Sequence, residues 1–256
     1  MSSSLFDLTG RLALVTGSSR GLGRSLAIAL AESGARVVVH GRDASTVTTT
    51  QDAIEQSTGT RPAAALFDVT DAKAVEEALA GLVAKHGVPD ILVNNAGVQK
   101  RAPFTEFSVE DWDAVVSTNL SSVFYVSRFV APGMVERGSG KIINIASVQS
   151  MLARQTIAPY SASKGGVAQL SRGMAADLAR HNVQVNTLSP GYFATEMNTA
   201  LWQDETFDTW LKQRTPAQRW GRIEELHGTL VYLASAASDF VSGQNIFVDG
   251  GMTSVV

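Results

Sequence analysis

Leu12-Ala13-Leu14-Val15-Thr16-Gly17-Ser18-Ser19-Arg20-Gly21-Leu22-Gly23 decides the fold. An unbroken apolar run leads into a glycine-rich turn, and Leu22, Leu26, Ala29 and Leu30 then follow at helical spacing. A run without polar alternation suits a strand buried on both faces. Small residues in the turn let backbone approach an anion at the N-terminus of the next helix, where unpaired N–H groups and the positive dipole end converge. An ordinary strand-to-helix turn is the plainer alternative; the position directly after a first strand favours a phosphate cradle. Outward from it, apolar runs recur at residues 37–39, 63–67, 91–93, 142–145, 183–188 and 246–248, each after a stretch of helical spacing. The pattern predicts an α/β fold: a doubly wound sheet of seven mostly parallel strands with helices on both faces. Ligands in such sheets bind beyond the carboxyl ends of the strands. The long interruption between Gly191 and Arg222 carries Trp202, Phe207, Trp210 and Trp220, and reads as a helical lid at about 192–221.

Composition narrows the function. With 256 residues, 45% hydrophobic and 18% charged, the chain suits a single domain over 1–256. A formal net charge of −3 gives no general attraction for nucleic acid or a membrane surface. Cysteine is absent, so disulfides and thiolate chemistry are excluded, and His40, His86, His181 and His227 lack zinc-ligand spacing. No signal peptide or long apolar span is evident, and a cytoplasmic protein is expected.

The second strand ends Val39-His40-Gly41-Arg42. Dinucleotide folds commonly place an acid there to bond the ribose 2′-hydroxyl. Here Gly41 leaves room, and Arg42 with Arg20 can grip a 2′-phosphate, so NADP(H) is expected over NAD(H). Asp43 points the other way, and Arg42 also reads as a solvated turn residue.

Tyr160 and Lys164 stand four residues apart, so on a helix they share a face and put an ammonium beside a phenol. Pro159 suits the first turn of that helix. Acid/base work by tyrosine near neutral pH asks for a shift of roughly three pKa units, about 4 kcal/mol. A unit charge about 4 Å away at an effective dielectric of about 20 supplies that much. Taken alone, the pair also reads as an amphipathic tyrosine beside a solvated lysine.

Thr16-Gly17-x-x-x-Gly21-x-Gly23, Asn94-Asn95-Ala96-Gly97, Ser147 and Tyr160-x-x-x-Lys164, in this order, resemble the short-chain dehydrogenase/reductase family. The similarity runs from about residue 8 to 251 and takes in Pro190-Gly191 and Asp249-Gly250-Gly251. It implies a Rossmann-type fold with Asn119, Ser147, Tyr160 and Lys164 as catalytic residues. Tyr160 would exchange a proton with the substrate oxygen, Ser147 would hydrogen-bond that oxygen, and Asn119 would organise a water for a proton relay. Lys164 would lower the tyrosine pKa and, with Tyr160 beside it, hold the nicotinamide ribose. For the cofactor the resemblance implies Gly17, Ser19, Arg20, Gly21, Leu22 and Gly23 at the pyrophosphate end, with Gly41 and Arg42 alongside. Asp68 and Val69 would meet the adenine, and Asn95, Ala96 and Gly97 would lie along its ribose. Pro190, Gly191, Phe193 and Thr195 would meet the carboxamide and phosphate. No metal need take part.

Within the family, the strings at 94–103, 147–154 and 190–197, with Arg214-Thr215-Pro216 and Trp220-Gly221, resemble the gluconate 5-dehydrogenases, which interconvert D-gluconate and 5-keto-D-gluconate. The residues agree: Lys100 and Arg101 follow a strand end, and Gln149 and Arg154 follow Ser147, so cations and an amide can meet a carboxylate and hydroxyls. Arg101, Ser147, Gln149, Arg154 and Tyr160 are therefore the expected substrate contacts. A 3-oxoacyl-carrier-protein reductase, a reductase of a related keto-deoxy sugar acid and a non-catalytic NADP sensor remain as alternatives. The resemblance also implies a homotetramer, using the helices of Asn119 and Tyr160 at one interface and the last strand with its tail at another.

Overall fold

Strands without a polar face must be covered on both sides, and the sheet is built accordingly. The structure is a computed structural model described over residues 4–195 and 198–256. In chain order its main elements are β1 (Leu12–Val15), α1 (Gly21–Glu32), β2 (Arg36–Gly41), α2 (Ala44–Thr58), β3 (Ala63–Leu66), α3 (Ala72–His86) and β4 (Ile91–Asn94). The second half adds α4 (Val109–Val116), α5 (Ser122–Arg137), β5 (Gly140–Ile145), α6 (Ala158–Leu178), β6 (Val183–Pro190), α7 (Thr199–Trp202), α8 (Glu205–Arg214), α9 (His227–Ala234) and β7 (Asn245–Val248). The strand order is β3-β2-β1-β4-β5-β6-β7, and every adjacent pair is parallel. The sequence pattern suggested only a mostly parallel sheet.

Alternation along each strand divides the core. Ala13, Val15, Val37, Val39, Ile91 and Val93 pack with Leu26, Leu30, Ile54 and Leu230 of α1, α2 and α9. Leu12, Leu14, Val38, Leu92 and Ile142 turn the other way, onto Val75, Leu79, Val126, Val130, Met134 and Ala175 of α3, α5 and α6. Chain order reverses between β1 and β4, which places the switch point of the sheet beside the glycine turn that follows β1.

Helix starts are chemically marked. Asp43 accepts from the Thr46 N–H, Asp71 from Lys73 and Ala74, Ser108 from Asp111, and Asp204 from Thr206 and Phe207. The start of α1 has no side-chain cap, so its first N–H groups are left for another acceptor. Asp43, just past the end of β2, thus serves as the cap of α2. Between α4 and α5 the helix passes through a π turn, Ser117–Ser121, which turns Asn119 inward.

Candidate active site

The carboxyl ends of β1, β2, β4, β5 and β6 open onto one groove of about 550 Å³. Its floor at the switch point is the glycine turn. Gly17 (φ +63°) and Gly21 (φ +54°) adopt left-handed backbone that disfavours side chains. A Cβ on Gly23 would collide with the Gly17 carbonyl and the Asn95 amide. Asn95 explains the closeness: its Nδ2 donates to the carbonyls of Thr16 (3.0 Å) and Gly17 (3.1 Å). Thr16 Oγ1 in turn accepts the N–H groups of Asn95 (3.0 Å) and Ala96 (3.1 Å). The loop after β4 is thereby bolted to the loop after β1, and the amide of Asn95 is spent on that bolt.

At the far end of the groove Arg20 is exposed and has no ion-pair partner among the described residues. Arg42 lies 3.4 Å from Asp68, with three quarters of its side chain exposed. Asp68 is held below the usual carboxylate range chiefly by the Thr70 N–H. Gly41 corrects the sequence reading: it does not merely leave room. A Cβ there would stand 2.8 Å from Val47 Cγ2 and 3.0 Å from Ser19 Cβ, so an acid at this position requires α2 or the glycine turn to move.

The chemical end is built by β5 and α6. Ser147 follows β5 and is buried; its Oγ accepts the Gln149 N–H at 3.2 Å. Tyr160 and Lys164 lie one turn apart near the start of α6, and the Lys164 nitrogen is 5.7 Å from the phenol ring centre. The ammonium donates to the Ile145 carbonyl at 2.7 Å. Burial brings the Lys164 pKa down to about 8 and pushes the Tyr160 phenol up from its ordinary value, with the neighbouring Ser147 hydroxyl opposing that rise. Loss of solvation is thus the largest influence on the phenol, and the net direction is upward.

Of the expected site residues, Asn119 alone does not line the groove. Its Oδ1 accepts the Val98 N–H (2.8 Å), and its Nδ2 donates to the Val98 carbonyl (3.0 Å) and to Ser163 Oγ (3.1 Å). It pins the loop after β4 to α6 from behind. Lys100 is likewise not in the groove: it is exposed and pairs with Asp111 at 3.2 Å. Arg101 and Arg154 do line it, near enough for the charge of Arg154 to add to burial in lowering the Arg101 pKa. Neither has an acidic partner among the described residues. Arg154 stacks over the Phe207 ring of α8 at 5.0 Å, and its buried Nε lacks a hydrogen-bond partner, as does Gln149 Oε1.

A family model described as Enoyl-(Acyl carrier protein) reductase matches residues 17–253. The chain belongs to the short-chain dehydrogenase/reductase family. It is 54% identical to gluconate 5-dehydrogenase of Gluconobacter oxydans (strain 621H), over 97% of each chain. It is 49% identical to 5-keto-D-gluconate 5-reductase of Escherichia coli (strain K12), again over 97% of each. Among solved structures, a gluconate 5-dehydrogenase from Burkholderia cenocepacia J2315 in complex with NADP and tartrate superposes with a TM-score of 0.96, at 52% identity and 99% coverage of both chains.

Two residues escape the sequence reading. Tyr192 lines the groove two positions after Pro190, its phenol pushed up by burial while Arg154 and Arg101 oppose that rise. Its ring meets Phe207, Trp210 and Trp220 at 5.7, 6.4 and 5.9 Å, tying the groove wall to α8. Glu196 and Met197 of the 190–197 string lie outside the described residues. His40 is the other. A polar residue closing an apolar strand was the available signal. Its buried ring accepts the Gly17 N–H at Nδ1 (2.8 Å), and Nε2 meets the Phe67 carbonyl at 3.1 Å.

Burial lowers the His40 pKa from 6.5 to about 4. The unfolded chain then binds more protons between those two values, so stability falls as pH drops through that window. The shift corresponds to about 3 kcal/mol. Urea unfolding of the cofactor-free protein from pH 7 to 4 should show this loss, and His40→Asn should remove that share of it. Equal pH dependence in the two proteins would contradict the buried neutral imidazole.

Proposed function

We propose that this chain is an NADP(H)-dependent oxidoreductase that interconverts D-gluconate and 5-keto-D-gluconate. The observation that carries the substrate reading is the Arg101–Arg154 pair: two cations without acidic partners among the described residues, on the same groove as Ser147 and Tyr160. Like charges brought together at a cost suit an anion, and a carboxylate is the one that planar guanidinium groups receive in bidentate fashion. Gln149 and Tyr192 stand beside them and suit hydroxyl groups. The named activities of the gluconate 5-dehydrogenase and 5-keto-D-gluconate reductase relatives support the same assignment.

The groove fits a dinucleotide. The uncapped start of α1 suits the pyrophosphate, and Lys164 with Thr195 suits the nicotinamide end. Arg20 and Arg42 suit a 2′-phosphate: the exposed Arg42–Asp68 pair is worth only about 0–1 kcal/mol, whereas charge-assisted bonds to a phosphate are worth about 1.5–3. NADP in the Burkholderia relative agrees with this reading. When bound, the nicotinamide supplies or accepts the hydride. In reduction Tyr160 gives its proton to the substrate oxygen as the carbon takes the hydride, and Ser147 holds that oxygen. The raised phenol pKa keeps Tyr160 protonated and ready for that step. Asn119 contributes by fixing Val98 and Ser163.

We further infer that the chain acts as one domain with α7 and α8 forming a lid, that it is cytoplasmic, and that it assembles as a homotetramer. Trp112 and Phe124 are exposed on α4 and α5, where that assembly needs apolar surface. Among the described residues, no helix is long and apolar enough to cross a membrane.

The direct test is a panel of 5-keto-D-gluconate, a 2-keto-3-deoxy sugar acid and an acetoacetyl thioester with NADPH and NADH. Fastest turnover of 5-keto-D-gluconate with NADPH is expected. Faster thioester reduction would move the chain to the carrier-protein reductases.

Tyr160→Phe should lower kcat by about 10²–10⁴-fold, the usual range for losing a general acid, with NADPH affinity nearly unchanged. Stopped assays and fluorescence titration check both parts, and near-normal turnover would remove Tyr160 from the reaction. Arg154→Ala should reduce kcat/KM for the sugar acid about 10–100-fold, the effect of losing about 1.5–3 kcal/mol, while an uncharged ketone of similar size is little affected. Equal losses for both substrates would contradict a carboxylate contact.

A further inference from the structure

We propose that His40 is a positioning residue for the dinucleotide, holding the glycine turn at a set distance from the part of the groove that receives adenosine and its 2′-phosphate. The inference rests on the cofactor reading above and concerns a residue outside the set assigned to it.

The ring sits where three strand ends meet. Its Nδ1 accepts the N–H of Gly17, the first glycine of the turn after β1. Its Nε2 meets the carbonyl of Phe67, the residue after β3 that leads directly into Asp68 and Val69. Phe67 also lies against the imidazole, with centroids 4.1 Å apart. The backbone of the residue is engaged as well: the His40 N–H donates to Ser18 Oγ (2.8 Å), and its carbonyl accepts the Ser18 N–H (2.9 Å). Ser18 Oγ continues to the Val15 carbonyl at 2.7 Å. His40 therefore joins β1, β2 and β3 at their carboxyl ends, directly before Gly41 and Arg42.

These partners fix the tautomer. A backbone N–H requires an acceptor at Nδ1, and a carbonyl requires a donor at Nε2, so the ring is neutral with its proton on Nε2. Asp68 and Arg42 are the charged groups that face it, with opposite effects on its ionisation, and burial outweighs both. The Gly17 N–H is withdrawn from anion binding by this bond. The pyrophosphate is then left to the N–H groups at the start of α1, whose distance from Arg42 the ring sets.

Asn and Gln divide the two ring functions. The Oδ1 of Asn stands near the place of Nδ1 and still accepts from Gly17, whereas the longer Gln places its amide near Nε2 and reaches Phe67 only. Calorimetric titration with NADPH, and with adenosine 2′-phosphate as a ligand of one end only, separates these outcomes. His40→Asn should bind NADPH within about threefold of the wild type. His40→Gln should bind it about 10–100-fold more weakly, with adenosine 2′-phosphate changed less than about threefold and kcat at saturating NADPH preserved. NADPH binding by His40→Gln equal to the wild type, or equal weakening by both variants, would overturn the inference. So would parallel loss of both ligands, or unfolding of both variants in circular dichroism, since either assigns His40 to fold stability alone. Wild-type protein that does not bind NADPH would instead overturn the cofactor reading.

Discussion

The Lys164 ammonium, buried under α6 with the Ile145 carbonyl 2.7 Å away, is the contact on which the chemical end of the site depends. It ties α6 to the carboxyl end of β5, and Tyr160, one turn earlier, is thereby set over the groove alongside Ser147. Burying a charge against one neutral acceptor is costly, which is why the lysine pKa comes down to about 8. The same dry surroundings hold the phenol proton on Tyr160. The phenol is thus held in its protonated form beside the lysine.

Polar bolts hidden behind the groove keep this arrangement in place. Asn94 Nδ2 donates to Ser127 Oγ (2.9 Å) and Asn144 Oδ1 (2.8 Å), and Asn144 Nδ2 continues to Ser171 Oγ (2.8 Å). That chain joins β4 and β5 to α5 and α6 inside a region otherwise filled by aliphatic side chains. Asn119 adds a second link between α6 and the loop after β4, from a π turn that lets a helical residue face inward. Satisfied polar groups at these depths are rigid because any displacement leaves a donor or acceptor unpaired.

The strands were legible because burial on both faces leaves a local mark, an unbroken apolar run, that needs no knowledge of distant partners. The glycine turn and the Tyr160–Lys164 spacing were legible for the same reason, since each is a short-range pattern with a backbone cause. The partners of His40 were not: they are Gly17 and Phe67, 23 and 27 residues away. The misreadings have a common source as well. Gly41 is packed against Val47 and Ser19, and Lys100 pairs with Asp111, and each outcome depends on which remote side chain arrives. Tyr192 carries no local mark, because the recognisable pattern belongs to its neighbours Pro190 and Gly191, while its surroundings are two arginines and an aromatic cluster from elsewhere in the chain.

The central claim is that burial keeps Tyr160 protonated beside Lys164. Ultraviolet difference titration of the cofactor-free protein against Tyr160→Phe isolates the ionisation of this one phenol. The phenol is expected to be less than half ionised at pH 10, since its pKa stands above the ordinary value of about 10. A phenolate that forms near pH 7 without cofactor would contradict it and restore Lys164 as the sole activator.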